Sequence, residues 1–140
     1  MATIATINLA SNISAGFGGI TKTMTLRKAG TTNDITETTG FSRRKLAATT
    51  AVDLITMANE LVEPLDNTAA KVYIKNIGNN GVIDKATYVT VTINSQEIGR
   101  LYGGDWLLMP LTVVDADDVV VAPSSDDAVV LEYTMFYEEA

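Results

Sequence analysis

The stretch ATYVTVTINS, residues 86–95, decides the fold class of this chain. Apolar Val89, Val91 and Ile93 alternate with a tyrosine and two threonines, so one set of side chains faces a core and the other faces away. The next residues, NSQE, predict a turn, and IGRLY predicts the returning strand of a hairpin. Residues 86–102 therefore predict two antiparallel strands with one buried face.

The rest of the composition agrees with that local pattern. Thr, Val and Ile account for 43 of the 140 residues, and such β-branched side chains favour a pleated strand over a helix. Turn signals recur at about 8–12-residue spacing, which is typical of sandwiches and barrels. We predict an all-β chain, folded as an antiparallel β-sandwich or a jelly-roll-like barrel. Residues 1–140 form one domain in this prediction, with residues 1–19 as an extended N-terminal arm or a loop.

Three further segments carry specific predictions. Residues 20–29 alternate as a half-buried strand with Ile20, Met24 and Leu26 on its apolar face, and the inward Lys22 marks an edge position. Residues 41–64 could hold a short helix, but we favour a strand over 53–57 followed by a loop. Residues 117–138 read as a last hairpin around the turn SSDD.

The segment EIGRLYGGDWLLMPL, residues 97–111, holds the single tryptophan of the chain. Gly103 and Gly104 predict a tight reversal with positive φ. Beyond it the apolar side chains fall on both faces, which predicts a strand covered on both sides. One face would pack in the core and the other against a loop, an arm or a neighbouring subunit. An aromatic ligand platform at Trp106 is the alternative.

The composition lacks residues on which several classes of function depend. The chain has no cysteine and no histidine, which removes thiol chemistry, the commonest zinc ligand and the commonest general base. A net charge of −7 with only ten basic residues argues against nucleic acid as a partner. No apolar run reaches the length of a membrane span, and the N-terminus lacks the basic region of a secretory signal. We expect a protein that is not an enzyme and has no membrane partner.

The acidic residues of one segment are candidate ligands for a metal ion. Asp115, Asp117 and Asp118 could form a calcium loop, but the glycine and glutamate of an EF-hand loop are missing, and a solvated turn is the preferred interpretation. The glycines of GFGG are not followed by the residues of a phosphate-binding loop. We therefore predict no metal and no cofactor.

The segment SRRKL, residues 42–46, is the one basic cluster of an acidic chain. It is either a solvated edge strand or a docking patch whose arginines meet carboxylates on a partner. Because neighbouring residues of a strand point in opposite directions, only one of Arg43 and Arg44 can face a given partner. We take Arg43, Arg44 and Lys45 as candidate partner contacts, together with Trp106 and with Phe17 of the Gly- and Ser-rich N-terminal segment.

The order of motifs in residues 70–137 resembles a group of small virion proteins of tailed bacteriophages. The matching pieces are VYIKN, YVTVTI, a GRL turn followed by glycine, an acidic and an aromatic residue, DDVVVAP, and a closing strand that contains LEY. FSRRKLAATTAVDLI resembles the strand pair that precedes them in that group. The insert NNGVIDKATY is longer than the corresponding connection, so loop contacts there are not carried over.

The resemblance implies a β-sandwich component of the virion without enzymatic activity. The favoured role is a capsid cement or decoration protein that binds the major capsid protein or other virion proteins and assembles as a homo-oligomer. A neck or tail component is the first alternative. A carbohydrate-binding module for host adhesion, which would need an exposed aromatic or polar groove, is the second.

Overall fold

A computed structural model describes residues 3–9, 19–27, 35, 37–56, 68–79, 86–113 and 119–137. These residues form eleven β-strands and no helix, so the prediction of an all-β fold is confirmed. Within these ranges no helix is long and apolar enough to cross a membrane. The chain divides into two compact units, Met1–Thr36 and Glu37–Ala140, and each is described separately.

The N-terminal unit contains a two-stranded antiparallel hairpin of β1 (Ile4–Leu9) and β2 (Ile20–Thr25). The register puts threonines and an asparagine on one face, where Thr6 and Thr23 lie 3.3 Å apart at their hydroxyls and the Thr21 hydroxyl donates to Asn8. The opposite face is mainly apolar. Part of the expected N-terminal arm is therefore strand β1, and residues 10–18, with Phe17, lie outside the described residues.

The expectation that residues 20–29 form a half-buried strand is wrong for burial. The side chains of Ile20 and Met24 are 44% and 46% exposed, and of the predicted apolar face only Leu26, just after β2, is buried. Alternation shows which side chains share a face, but it does not show that a second layer covers that face. Lys22 does lie at an edge, because β2 pairs only with β1 among the described residues.

The C-terminal unit is a sandwich of two antiparallel sheets. Its strands are β3 (Glu37–Thr38), β4 (Ser42–Leu46), β5 (Val52–Ile55), β6 (Thr68–Asn76), β7 (Tyr88–Ile93), β8 (Gln96–Tyr102), β9 (Trp106–Val113), β10 (Val119–Pro123) and β11 (Val129–Tyr137). One sheet has the order β5-β10-β7-β8. The other has the order β4-β11-β6-β9, with β3 also paired to β11. This is the strand order of a jelly roll, which confirms the predicted sandwich.

A single hydrophobic core lies between the two sheets. The buried side chains come from both sheets, and Val89, Val91 and Leu131 are fully inaccessible to solvent. Ile93 is also buried, so the alternation in residues 86–95 predicted the right face. Tyr133, expected in the same core, is partly buried and packs against it. The ambiguous segment contains strand β5, which runs over Val52–Ile55, and residues 57–67 lie outside the described residues.

The predicted turn between β7 and β8 is confirmed. Asn94 and Ser95 both have positive φ, 48° and 60°, as a two-residue type I′ hairpin requires. At the Gly-Gly reversal, Gly104 adopts the predicted positive φ, 97°. The two strands that it joins belong to different sheets, so the chain crosses there from one sheet to the other. Strand β8 is an edge strand of the four-stranded sheet, and β9 is an edge strand of the five-stranded sheet.

The expected last hairpin around SSDD is wrong. Strand β10 pairs with β5 and β7, whereas β11 pairs with β3, β4 and β6. Residues 124–127 are therefore an arch between the sheets, anchored where the Ser124 amide donates to the Tyr88 carbonyl at 2.9 Å. Turn residues report that the chain reverses, and they do not specify which sheet the next strand joins.

A buried asparagine links the two sheets at the edge formed by β8 and β9. The Asn76 side-chain amide donates to the Leu101 carbonyl at 3.0 Å, and its side-chain oxygen accepts from the Gly78 amide at 2.9 Å. Its backbone bonds the crossing segment, since the Gly104 amide donates to the Asn76 carbonyl and the Asn76 amide donates to the Asp105 carbonyl. Asn76 is 1% exposed, so these bonds satisfy polar groups that water does not reach.

Candidate partner-binding face

Three of the predicted contact residues lie on one surface, the side of the five-stranded sheet that faces away from the core. In β4, Leu46 is buried in the core, so Arg43 and Lys45 must point outward. In β9, Leu107 packs against the core, so Trp106 points outward. We call this surface the outer face. Its residues used below are Phe41, Arg43, Lys45, Lys71, Tyr73, Lys75, Trp106, Leu108 and Glu132.

The arginine on this face is fixed by a carboxylate. Both Nε and Nη2 of Arg43 donate to Oε2 of Glu132, at 3.0 and 2.9 Å. Glu132 also accepts a hydrogen bond from the Tyr73 hydroxyl. Burial raises the pKa of Tyr73, and the negative charge of Glu132 and this hydrogen bond raise it further, so the neutral phenol is favoured. The Glu132 side chain is only 18% exposed, while that of Arg43 is 69% exposed.

Arg44 has a different place. It points to the other side of β4, as expected for a residue next to Arg43, and its Nη1 donates to the Asp53 carbonyl of β5 at 2.6 Å. This bond joins the facing edges of the two sheets. The prediction that the two arginines point in opposite directions is confirmed, and Arg44 is not part of the outer face.

Aromatic rings form a row across the outer face. The ring centroids of Phe41 and Tyr73 are 5.7 Å apart, and those of Tyr73 and Trp106 are 6.5 Å apart. Phe41 is 67% exposed and Trp106 is 45% exposed. Within the described residues only the inner face of β9 packs in the core, so cover of Trp106 by a neighbouring subunit stays a prediction.

Two lysines of β6 belong to the outer face and did not enter the basic cluster expected from sequence. Lys71 and Lys75 flank Tyr73 in β6, and the residues between them, Val72 and Ile74, are fully buried. The sequence AKVYIKNIG indicates this arrangement, because its lysines and tyrosine alternate with apolar residues and therefore share one face of the strand. Cross-strand pairing then places Lys75 opposite Glu132 on one side and opposite Trp106 on the other.

The outer face is basic although the chain is acidic. Its four basic side chains, Arg43, Lys45, Lys71 and Lys75, surround one acidic side chain, Glu132, which leaves a net charge of +3. The whole chain has a net charge of −7. Among the described residues, none forms an ion pair with any of the three lysines. The face therefore combines uncompensated positive charge with exposed aromatic surface.

The described residues contain no group of three or more acidic side chains that could hold a metal ion. The candidate calcium residues Asp115, Asp117 and Asp118 lie outside the described ranges. Within the described arch, Asp126 accepts from the Thr49 amide at 3.3 Å. Asp127 accepts from the Ser125 hydroxyl at 3.4 Å, so both aspartates serve local structure there.

Comparisons with known proteins add little to this geometry. No protein-family model and no curated protein matches the chain. A cupin protein from Bacteroides fragilis aligns over 71% of this chain with 17% identity and a TM-score of 0.34, and the chain spans 64% of that protein's length. A Bacillus endospore appendage protein, from a family of disulfide-linked pili, aligns over 76% of this chain and 94% of its own, with 14% identity and a TM-score of 0.37.

Proposed function

We propose that this chain is a non-enzymatic structural protein of a tailed-bacteriophage virion. In this proposal it acts as a cement or decoration protein that binds the shell of major capsid protein. The virion assignment comes from the resemblance of residues 70–137 to small phage virion proteins. The structure supports a docking mechanism in which the jelly roll presents its outer face to a partner protein.

The observation that carries the mechanism is the pairing of exposed aromatics with positive charge on one sheet. Tryptophan, tyrosine and arginine are enriched among the residues that supply most of the binding energy at protein interfaces. Aromatic rings bury large areas with few rotatable bonds, and arginine presents several hydrogen-bond donors in a planar group. Phe41 and Trp106 are the exposed aromatics here, and Arg43 is held in place by Glu132. A side chain held in position before binding loses less entropy when the partner arrives.

The N-terminal hairpin supports docking in a second way. An isolated two-stranded hairpin is marginally stable in water and gains stability when another surface covers it. Four of its large apolar residues point to one face and are exposed, with Leu9 at 54% and Ile20 at 44%. Covering this face on the particle would stabilise the hairpin and add apolar contact to the charged contact of the outer face.

The test is to add purified protein to particles that lack it and to count the bound copies. Arg43→Ala should lower the occupancy at a fixed protein concentration, and Arg44→Ala, which removes the same charge away from the outer face, is the matched control. Copies in proportion to the capsomers would support the cement role, and a small ring at the portal would support a neck or tail component. No bound wild-type protein on any particle would refute the virion proposal.

One observation favours the carbohydrate-binding alternative. Exposed aromatic rings on a sheet face can stack on sugars, and Trp106 and Phe41 are both exposed. Binding of neutral glycans would depend on Trp106 and would change little with salt, whereas docking on an acidic protein surface would weaken as salt rises. A glycan array read at low and high ionic strength separates the two.

A further inference from the structure

Strand β6 displays a regular lysine–tyrosine–lysine series along the middle of the outer face. Lys71, Tyr73 and Lys75 occupy every second position, so all three side chains point outward. A strand rises by about 3.3 Å per residue, which separates the two lysine Cα atoms by about 13 Å. An extended chain laid along β6 would have the same period, with every second side chain directed at this series.

The charge on this series is available to a partner. Glu132 already engages Arg43 and Tyr73. The cross-strand neighbours of Lys71 are Phe136 and Pro110, neither of which carries a charge. The two lysines therefore keep their positive charge without a bound carboxylate from the described residues.

Apolar surface lies beside the tyrosine between the two lysines. Leu108 is directly opposite Tyr73 in β9, and Trp106 is its diagonal neighbour. An apolar side chain that enters between the two lysines would contact these three groups. This arrangement is complementary to a segment in which acidic and apolar side chains alternate at every second position.

We propose that the outer face binds an extended acidic segment of a partner protein, with carboxylates at positions i and i+4 and an apolar side chain at i+2. The carboxylates pair with Lys71 and Lys75, and the apolar side chain packs on Tyr73, Leu108 and Trp106. This inference rests on the proposed function for its setting, because it names the chemistry by which the partner is recognised.

The geometry favours a protein partner over a nucleic acid. Glu132 of β11 lies between Arg43 and Lys75 and would repel a phosphate backbone that crossed the outer face there, whereas separate carboxylates can bind at a distance from it. The row of rings has interplanar angles of 50° and 38°, so the rings do not form one flat platform for consecutive bases. The net charge of −7 also repels a long polyanion.

The single tryptophan gives a direct assay. Trp106 is on the outer face and half exposed, so its fluorescence should change when a segment binds. Full-length protein is titrated with a peptide of pattern Glu-x-Leu-x-Glu and with a peptide of pattern Lys-x-Leu-x-Lys. We expect saturable binding of the acidic peptide only, weakened by salt. Equal binding of both peptides, or of neither, would overturn the proposal, and tighter binding of single-stranded DNA would assign the face to nucleic acid instead.

Charge reversals locate the contact. Lys75→Glu and Lys71→Glu should each weaken binding of the acidic peptide by roughly three- to tenfold, the scale of gaining and losing surface ion pairs. Arg100→Glu on β8, in the four-stranded sheet of the same unit, makes the same change in net charge away from the outer face and should leave the affinity unchanged. A thermal melt of each variant shows that it is folded, and Lys71→Glu, farther from Glu132, serves if Lys75→Glu is unstable. Equal effects of all three reversals would mean that net charge alone is responsible.

The same variants separate this inference from the proposed function. If wild-type protein and the lysine variants occupy particles equally, the virion role stands and the acidic-segment inference fails. If wild-type protein binds the acidic peptide but no particle, the inference stands and the virion role fails.

Discussion

Replacing Asn76 by alanine should destabilise the sandwich more than any other single polar substitution among the described residues. The change removes the amide that donates to the Leu101 carbonyl and the oxygen that accepts from the Gly78 amide. Each of the two buried groups left without a partner costs about 1–3 kcal/mol, so the free energy of unfolding should fall by about 2–6 kcal/mol. The backbone bonds of residue 76 remain, which limits the loss to the side chain.

Urea denaturation followed by tryptophan fluorescence measures the effect. The midpoint should fall with little change in the slope, because the surface exposed on unfolding is nearly the same. Thr134→Val is the control: Thr134 is also 1% exposed, but its hydroxyl bonds the Thr38 hydroxyl, and Thr38 is exposed enough to bond water instead. A loss below about 0.5 kcal/mol for Asn76→Ala, or a larger loss for Thr134→Val, would refute the argument that buried unsatisfied groups decide the cost.

Three further predictions concern the core, the outer face and pH. Val91→Ala and Leu131→Ala should each lower the free energy of unfolding by about 1–4 kcal/mol, measured by denaturation, and unchanged stability would contradict the register of the core. Arg43→Ala should weaken binding to particles by about 1–3 kcal/mol while Arg44→Ala leaves binding unchanged, measured as bound copies against concentration, and equal effects would contradict the opposite orientations. The pKa of Tyr73 is raised in the folded state, so the neutral phenol contributes stability that is fully present below the unfolded value of 10.0 and is lost as pH rises through the folded pKa. Thermal melts should therefore show that wild type loses stability between neutral and strongly alkaline pH more steeply than Tyr73→Phe. Parallel curves would show that the phenol is not coupled to folding.

The sequence predicted the strands best where one face of a strand is buried. In β7 the alternation of apolar and polar residues matches the alternation of buried and partly exposed side chains. Val89 and Val91 are buried, and their neighbours are partly exposed. In β2 the same alternation is present, but Met24 is exposed. The periodicity of a strand reports which side chains share a face, whereas burial depends on a second layer that local sequence does not contain.

Connections between strands were predicted less well than the strands themselves. The residues 94–95 join two strands of one sheet, while the residues 124–127 join strands of different sheets, yet both are short polar turns. The difference depends on long-range pairing, since β11 lies between β4 and β6. A turn motif contains no information about those partners.

The candidate site shows the same limit. The basic cluster of residues 42–46 was visible because its charges are consecutive, whereas the carboxylate that fixes Arg43 is 89 residues away in the chain. Lys71 and Lys75 join that cluster only through the pairing of β11 with both β4 and β6. A search along the sequence for charge runs therefore finds one row of the face and misses the rows beside it.

The single acidic residue of the outer face, Glu132, leaves most of the positive charge of that face without a cross-strand carboxylate. The chain has 17 acidic residues, and cross-strand ion pairs would have stabilised the sheet by a few tenths of a kcal/mol each, or about 1 kcal/mol at most. The described neighbour of Lys45 on β11 is instead Val130, and the neighbours of Lys71 are also uncharged. The one carboxylate, Glu132, is used to hold Arg43 and Tyr73 in place. In the acidic-segment proposal, carboxylates of the partner would occupy the positions beside these lysines that no carboxylate of the described residues fills.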